Sequence, residues 1–169
     1  MIFATDIESF SFFSDRGLKN LYFCDEFIKH KYDPTDYDQL VYYRVTSVWI
    51  KRTKAIAHLL SLGYTVLQSD SDASWIHNPL PLLEKLSKGN DVLFSRGNLE
   101  GENPSHGLGI CMGFAYYLPT ENTKKLLKEL MIVMKTDFWP DQGAINSVIF
   151  KNIIIIHALF LTIFLYITF

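Results

Sequence analysis

Residues 64–79 read YTVLQSDSDASWIHNP, and this stretch decides how the chain is interpreted. An apolar, β-prone run follows Gly63, which is a helix-stop signal, so a short strand should precede the acidic residues. That strand delivers two carboxylates, Asp70 and Asp72, at its carboxyl end. Ligands of open α/β sheets bind at this edge. We therefore predict that the acidic pair faces a binding site.

The spacing of the two carboxylates suggests a metal ion. Carboxylates one residue apart repel each other unless a cation lies between them, and Mg²⁺ and Mn²⁺ prefer oxygen ligands that they share with substrate phosphates. The pattern therefore indicates Mn²⁺ or Mg²⁺ on Asp70 and Asp72, and chemistry on a phosphorylated compound. A solvated D-x-D turn is the alternative, and the triplet alone leaves it open.

The composition is that of one globular domain. The chain has 169 residues, of which 49% are hydrophobic and 20% charged, with a formal net charge of −2. It can form one core and is too short for two ordinary domains. The balanced charge indicates neither disorder nor a basic face for nucleic acid, so no nucleic-acid partner is expected. Cys24 and Cys111 are expected as two buried free thiols.

Strands alternate with helices along the chain. Strands are expected near 2–5, 21–24, 66–67, 91–95 and 110–118, and helices near 9–17, 42–62, 80–88, 121–135 and 141–150. Thr120 can cap the helix that follows it. The alternation predicts an α/β, Rossmann-like fold with mostly parallel strands and helices on both faces.

The end of the chain is apolar. Residues 153–169 contain no Asp, Glu, Lys or Arg, and we treat 151–169 as a tail separate from the domain at 1–150. The tail could be a membrane anchor, a buried terminal strand or sequence foreign to the domain. Its apolar part lies at the lower limit of a membrane span, so membrane association through 153–169 is one of the expectations.

Four pieces of the sequence, in this order and spacing, carry a family resemblance. They are LLSLGY at 59–64, VLQSDSDASW at 66–75 with Asn78-Pro79, CMGFAYY at 111–117 leading to Thr120, and Asp141-Gln142 followed by Asn146. Together they resemble the nucleotide-diphospho-sugar transferase domain. This is a GT-A glycosyltransferase group that includes plant cell-wall arabinosyl- and xylosyltransferases. The resemblance covers about residues 2–150 and suggests an incomplete GT-A domain.

The resemblance implies an activity. It is metal-dependent transfer of a sugar from a nucleotide-diphosphate donor to a glycan or glycoprotein acceptor, with retention of anomeric configuration. Mn²⁺ or Mg²⁺ would bridge the donor diphosphate to Asp70 and Asp72, acting as a Lewis acid toward the leaving group. For the full-length family member, the Golgi lumen or membrane is the implied location.

The resemblance also implies roles for residues outside the triplet. Arg52 would meet the donor phosphates, with a solvated helix face as the alternative. Gly113 would let the donor approach the backbone, and tight packing is its alternative. Asp141 and Gln142 would be catalytic, orienting the reacting sugar and holding its hydroxyls, while Asn146 would contact the donor. For Asp141, capping of the last helix is the alternative.

Two other functions compete with this interpretation. A haloacid-dehalogenase-like phosphatase would use Asp70 as nucleophile and Asp72 as acid/base. A non-catalytic remnant is the third interpretation, because the chain resembles the family from its second strand onward and the resemblance does not extend into the apolar tail.

Overall fold

The computed structural model describes residues 2–4, 6–19, 21–23, 35–70, 74–97, 109–150, 158–161 and 167–168. The strands in this part are β1 (Ile2–Ala4), β2 (Leu21–Phe23), β3 (Val66–Ser69), β4 (Ser74–Trp75), β5 (Val92–Gly97), β6 (Gly109–Tyr117), β7 (Ala158–Leu161) and β8 (Ile167–Thr168). The helices are α1 (Ile7–Asp15), α2 (Tyr37–Ser61), α3 (Leu80–Leu86), α4 (Glu121–Thr136) and α5 (Asp141–Phe150). The expected mixture of helices and strands is confirmed.

Local capping sets the ends of the helices. Helix α2 begins five residues before its expected start because the Asp36 side chain accepts hydrogen bonds from the N–H groups of Asp38 and Gln39. It ends where Gly63 adopts a left-handed φ of 85°, which costs glycine little. The Thr120 side chain accepts from the N–H of Thr123, so the predicted cap of α4 is confirmed.

The strands do not form a mostly parallel sheet. The main described sheet has the order β3-β6-β5-β7, and β6 is antiparallel to both β3 and β5, while β5 and β7 are parallel. Strands β3, β5 and β7 therefore share one direction, and β6 runs against them. The expectation differs from the structure because β6 lies between two strands that simple alternation would pair directly. A parallel β1-β2 pair forms a separate sheet, as expected for a βαβ unit.

Helices cover both faces of the main sheet, as predicted. On one face, buried side chains of α2, α4 and α5 pack with alternate residues of β5 and β6, including Val92 and Tyr117. On the other face, Leu83 of α3 packs with Leu93 and Phe114. The alternation of side chains along a strand explains why Val92 and Leu93 belong to different clusters.

Two short strands lie within the apolar tail. Strand β7 pairs with β5, and β8 forms an antiparallel pair with β4. Among the described residues, no helix is long and apolar enough to cross a membrane. Cys111 is a free, half-buried thiol, whereas Cys24 lies outside the described residues.

Candidate functional site

A bulge in β6 shapes the site. Phe94 of β5 pairs with Ala115, but the next residue, Ser95, pairs with Cys111, so residues 112–114 of β6 lie opposite a single step of β5. Bulges change the direction in which a strand presents its backbone and are frequent beside active sites. Here the bulge faces the carboxyl end of β3, where the N–H of Asp70 donates to the Gly113 carbonyl at 2.9 Å.

A buried glutamine satisfies the backbone of this bulge. The Gln68 side chain is 6% exposed, and its amide nitrogen donates to the Met112 carbonyl. Its amide oxygen accepts from the Tyr117 hydroxyl at 3.3 Å. Burial raises the pKa of Tyr117, which keeps that hydroxyl protonated as a donor. Gln68 and Tyr117 therefore hold the β6 bulge in place beside the carboxyl end of β3.

Arg52 brings together two of the predicted acidic residues. Its Nη1 atom lies 2.6 Å from Asp70 Oδ1, and its Nη2 atom donates to Asp141 Oδ2. The three side chains come from helix α2, the end of β3 and the first residue of α5. The alternative of a solvated Arg52 is wrong, because the side chain is only 25% exposed and paired twice.

The charges of this triad are unequally buried. Asp141 is 3% exposed, and burial raises its pKa above the ordinary value, although the Arg52 guanidinium opposes that effect. Burial lowers the pKa of Arg52, but the Asp141 and Asp70 carboxylates together outweigh it, so the net shift is upward. Arg52 is therefore cationic and is the main compensation for the buried Asp141 charge. The Arg52 Nε–H is buried and has no hydrogen-bond partner within the described ranges.

Gly113 leaves room for the Asp70 carboxylate. A Cβ atom built on Gly113 would lie 3.2 Å from Asp70 Oδ2 and 3.4 Å from Cys111 Sγ. The missing side chain thus permits the observed position of Asp70. Contact between Gly113 and a donor sugar stays a prediction.

The remaining predicted residues lie on α5. Asn146 is 6% exposed; its amide oxygen accepts from the Ile110 N–H at 2.8 Å, and its nitrogen donates to the carbonyls of Ile110 and Gln142. It therefore ties α5 to β6. The Gln142 side chain is exposed, while its backbone N–H donates to Asp141 Oδ1 at 2.8 Å. Their contacts with donor or acceptor stay predictions.

An aromatic turn precedes α5. Phe138 has a left-handed φ of 51°, its carbonyl accepts from the Tyr42 hydroxyl at 3.0 Å, and its ring stacks on that of Tyr43 at 5.5 Å. The next residue, Trp139, is 44% exposed. A turn fixed on α2 therefore places an exposed indole two residues before Asp141.

The described carboxylates are suited to a hard cation. Arg52 donates to Asp70 Oδ1, no described residue donates to Asp70 Oδ2, and the Asp70 side chain is 40% exposed. Oxygen donors of this type match Mn²⁺ or Mg²⁺. In the described part of the chain, no three His, Cys, Asp or Glu side chains form a metal cluster, and Asp72 lies outside that part. Asp70 thus fits as one ligand of an incomplete set.

A family model for nucleotide-diphospho-sugar transferases matches residues 1–166. The chain belongs to this family. Family membership favours the transferase interpretation over the phosphatase, and in the structure Asp70 Oδ1 is engaged by Arg52.

Two plant members of the transferase group are similar in sequence. The arabinosyltransferase XEG113 of Arabidopsis thaliana is 30% identical over 108 residues, covering 58% of this chain and 16% of that protein. The beta-arabinofuranosyltransferase RAY1 of Arabidopsis thaliana is 44% identical over 55 residues, covering 32% of this chain and 9% of that protein. The chain spans less than a fifth of the length of either relative. No solved structure matches it.

Sequence reasoning missed two parts of this transferase-family site. Gln68 is a polar residue inside an apolar strand, which is a usable signal for a buried hydrogen-bonding role. The β6 bulge has a weaker signal, namely Gly113 in the middle of an otherwise apolar strand. Neither signal alone identifies the strands that pair with β6.

Proposed function

We propose that the chain binds the nucleotide-sugar donor of a metal-dependent glycosyltransferase. The observation that carries this proposal is the Arg52 bridge between Asp70 and Asp141 at the carboxyl end of β3, in a chain of the nucleotide-diphospho-sugar transferase family. Ligand sites of α/β sheets lie at such edges.

In this proposal, Asp70 and Asp72 hold Mn²⁺ or Mg²⁺. When bound, the cation supplies electrophilic stabilisation of the leaving diphosphate. Asp70 presents Oδ2, because Oδ1 is held by Arg52. Asp72 follows two positions later and would complete the acidic pair.

The other residues orient the substrates. Asp141 is 3% exposed and both of its carboxylate oxygens are engaged, one by Arg52 and the other by the Gln142 N–H, so it would act by positioning these two groups beside the sugar. The exposed Gln142 side chain would hold hydroxyls of the sugar or acceptor. Arg52 adds positive charge next to the expected diphosphate position, which lowers the cost of bringing an anion beside two carboxylates.

The names of the relatives suggest which sugar to test. Both are named as arabinosyltransferases, so we propose an arabinosyl donor. A glycan or glycoprotein acceptor and retention of configuration belong to the proposal through the family resemblance. The Golgi is the proposed location of the full-length protein. The whole protein's activity is part of the proposal, since the chain covers only a small share of each relative.

Calorimetry with a panel of nucleotide sugars tests the donor site. We expect UDP-arabinose to bind in the presence of Mn²⁺, and Asp70→Ala or Asp72→Ala to reduce affinity at least tenfold. Asp38→Ala is the control, because this exposed residue lies about 20 Å from Arg52 along α2. Binding that ignored chelation and both site substitutions would refute the proposal, and release of phosphate from a generic phosphoester would support the phosphatase instead.

A further inference from the structure

We propose that Trp139 is the stacking platform for a sugar ring at the edge of the donor site. The inference rests on the proposed function and adds a saccharide-binding residue to it. The observations that carry it are the exposure of the indole, its position two residues before Asp141 and the fixed turn that holds it.

The turn is held in a conformation that its sequence does not favour. A left-handed φ is costly for a phenylalanine and persists only where the surroundings impose it. At Phe138 they do so through the Tyr42 hydroxyl and the Tyr43 ring, both on α2. Helix α2 also carries Arg52, which pairs with Asp70 and Asp141, so the same helix positions these two carboxylates and the turn. Trp139 is thus held by a rigid scaffold.

The indole is set close to the predicted chemistry. Two residues of chain reach about 7 Å at most, so the Cα atom of Trp139 lies within that distance of the Cα atom of Asp141. On the other side, Trp139 Cε3 lies 3.8 Å from the position of a Cβ atom built on Gly143. The ring therefore rests against the first turn of α5, where the Gln142 side chain is exposed.

This combination matches the chemistry of a sugar. One face of a pyranose or furanose presents C–H groups, which pack on an aromatic ring, while its edge presents hydroxyls. Trp139 offers the flat apolar surface, and the exposed Gln142 side chain offers an amide that can hydrogen-bond hydroxyls beside it. A tryptophan loses little conformational entropy on binding, and such residues often dominate binding energy.

The ring that stacks could belong to the donor or to the acceptor. Three probes distinguish these sources by calorimetry with Mn²⁺: UDP, UDP-arabinose and an arabinofuranosyl oligosaccharide. Trp139→Ala should leave UDP affinity unchanged and weaken at least one saccharide-containing probe about tenfold. Loss limited to UDP-arabinose assigns the donor sugar, and loss limited to the oligosaccharide assigns the acceptor.

Two further variants test whether a loss of saccharide affinity in Trp139→Ala comes from the lost stacking surface or from a disturbed structure. Trp139→Phe keeps an aromatic ring and should restore most of the saccharide affinity. Tyr37→Ala removes another exposed aromatic, 76% exposed at the start of α2, and should change none of the three affinities.

The outcomes separate this inference from the proposed function. If UDP fails to bind but the oligosaccharide binds in a Trp139-dependent way, the donor site fails and the platform stands. Equal saccharide affinities in Trp139→Ala and the unaltered chain would overturn the platform. Absence of binding by both saccharide probes would overturn it as well.

Discussion

Arg52 Nη1 lies 2.6 Å from Asp70 Oδ1, although the two residues come from different elements of the fold. The same guanidinium reaches Asp141 at the start of α5. A planar guanidinium offers two parallel donors and remains charged at any pH that a protein survives, so it can bridge two carboxylates. The pairing therefore links three elements of the fold at the predicted donor site.

Arg52→Gln should destabilise the chain. It leaves the nearly buried Asp141 charge without its main counter-ion, which we expect to cost about 2 kcal/mol in the free energy of unfolding. Urea denaturation at neutral pH measures this cost. Arg44→Gln, an exposed arginine of the same helix, should change it by less than about 0.5 kcal/mol. Equal effects of the two substitutions would contradict the bridging role.

Gly113→Ala should weaken metal binding more than it affects stability. The new Cβ atom would lie 3.2 Å from Asp70 Oδ2, so the carboxylate must shift. We expect Mn²⁺ affinity to fall about fivefold, measured by calorimetry, at a stability cost near 1 kcal/mol. Gly143→Ala is the matched control, because its Cβ atom would make only an ordinary 3.8 Å contact with Trp139. Unchanged Mn²⁺ affinity in Gly113→Ala would contradict the claim that the missing side chain at Gly113 permits the metal-binding position of Asp70.

Stability should depend on pH through Asp141. Its folded-state pKa is raised from 3.8 because the carboxyl is buried, so the folded state binds protons more tightly than the unfolded state. This contribution is fully present below the ordinary Asp pKa and is lost as pH rises through the folded-state value. The free energy of unfolding, relative to that of Asp141→Asn, should therefore fall as the pH rises above the ordinary Asp value of 3.8. Parallel urea titrations of both proteins give this difference, and a rise over the same range would contradict the sign.

Asn146→Ala should loosen the attachment of α5 to β6. The substitution removes three hydrogen bonds to backbone groups of Ile110 and Gln142, two of which involve the strand. The expected loss is about 2–3 kcal/mol in the free energy of unfolding, measured by urea denaturation. Ser147→Ala, at the half-buried neighbouring position, should cost much less. A loss of donor affinity without a loss of stability would instead support direct contact between Asn146 and the donor.

The sequence was sufficient for the local elements but not for the sheet order. Helix caps such as Thr120 and the glycine stop at Gly63 depend on neighbouring residues, so local patterns predicted them. The insertion of β6 between β3 and β5 depends on long-range hydrogen bonding, which alternation of elements does not encode. The simple rule of parallel pairing therefore gave the wrong neighbours.

The sequence selected residues for the candidate site but did not predict the contacts between them. Local sequence and family resemblance selected Arg52, Asp70 and Asp141. That one guanidinium joins both carboxylates follows from the crossing of α2 past β3 and α5, which no single segment specifies. Trp139 was overlooked because the importance of an exposed indole depends on what lies beside it.

The bulge in β6 has a consequence for how members of this family could diverge. Its carbonyls at Met112 and Gly113 are satisfied by Gln68 and by the backbone of Asp70, so the acidic residue is located mainly by the main chain. The exposed side chains of Trp139 and Gln142, at the rim of the candidate site, contribute little to the position of Asp70. Evolution could therefore exchange rim residues to accommodate a new sugar while the acidic residue keeps its coordinates.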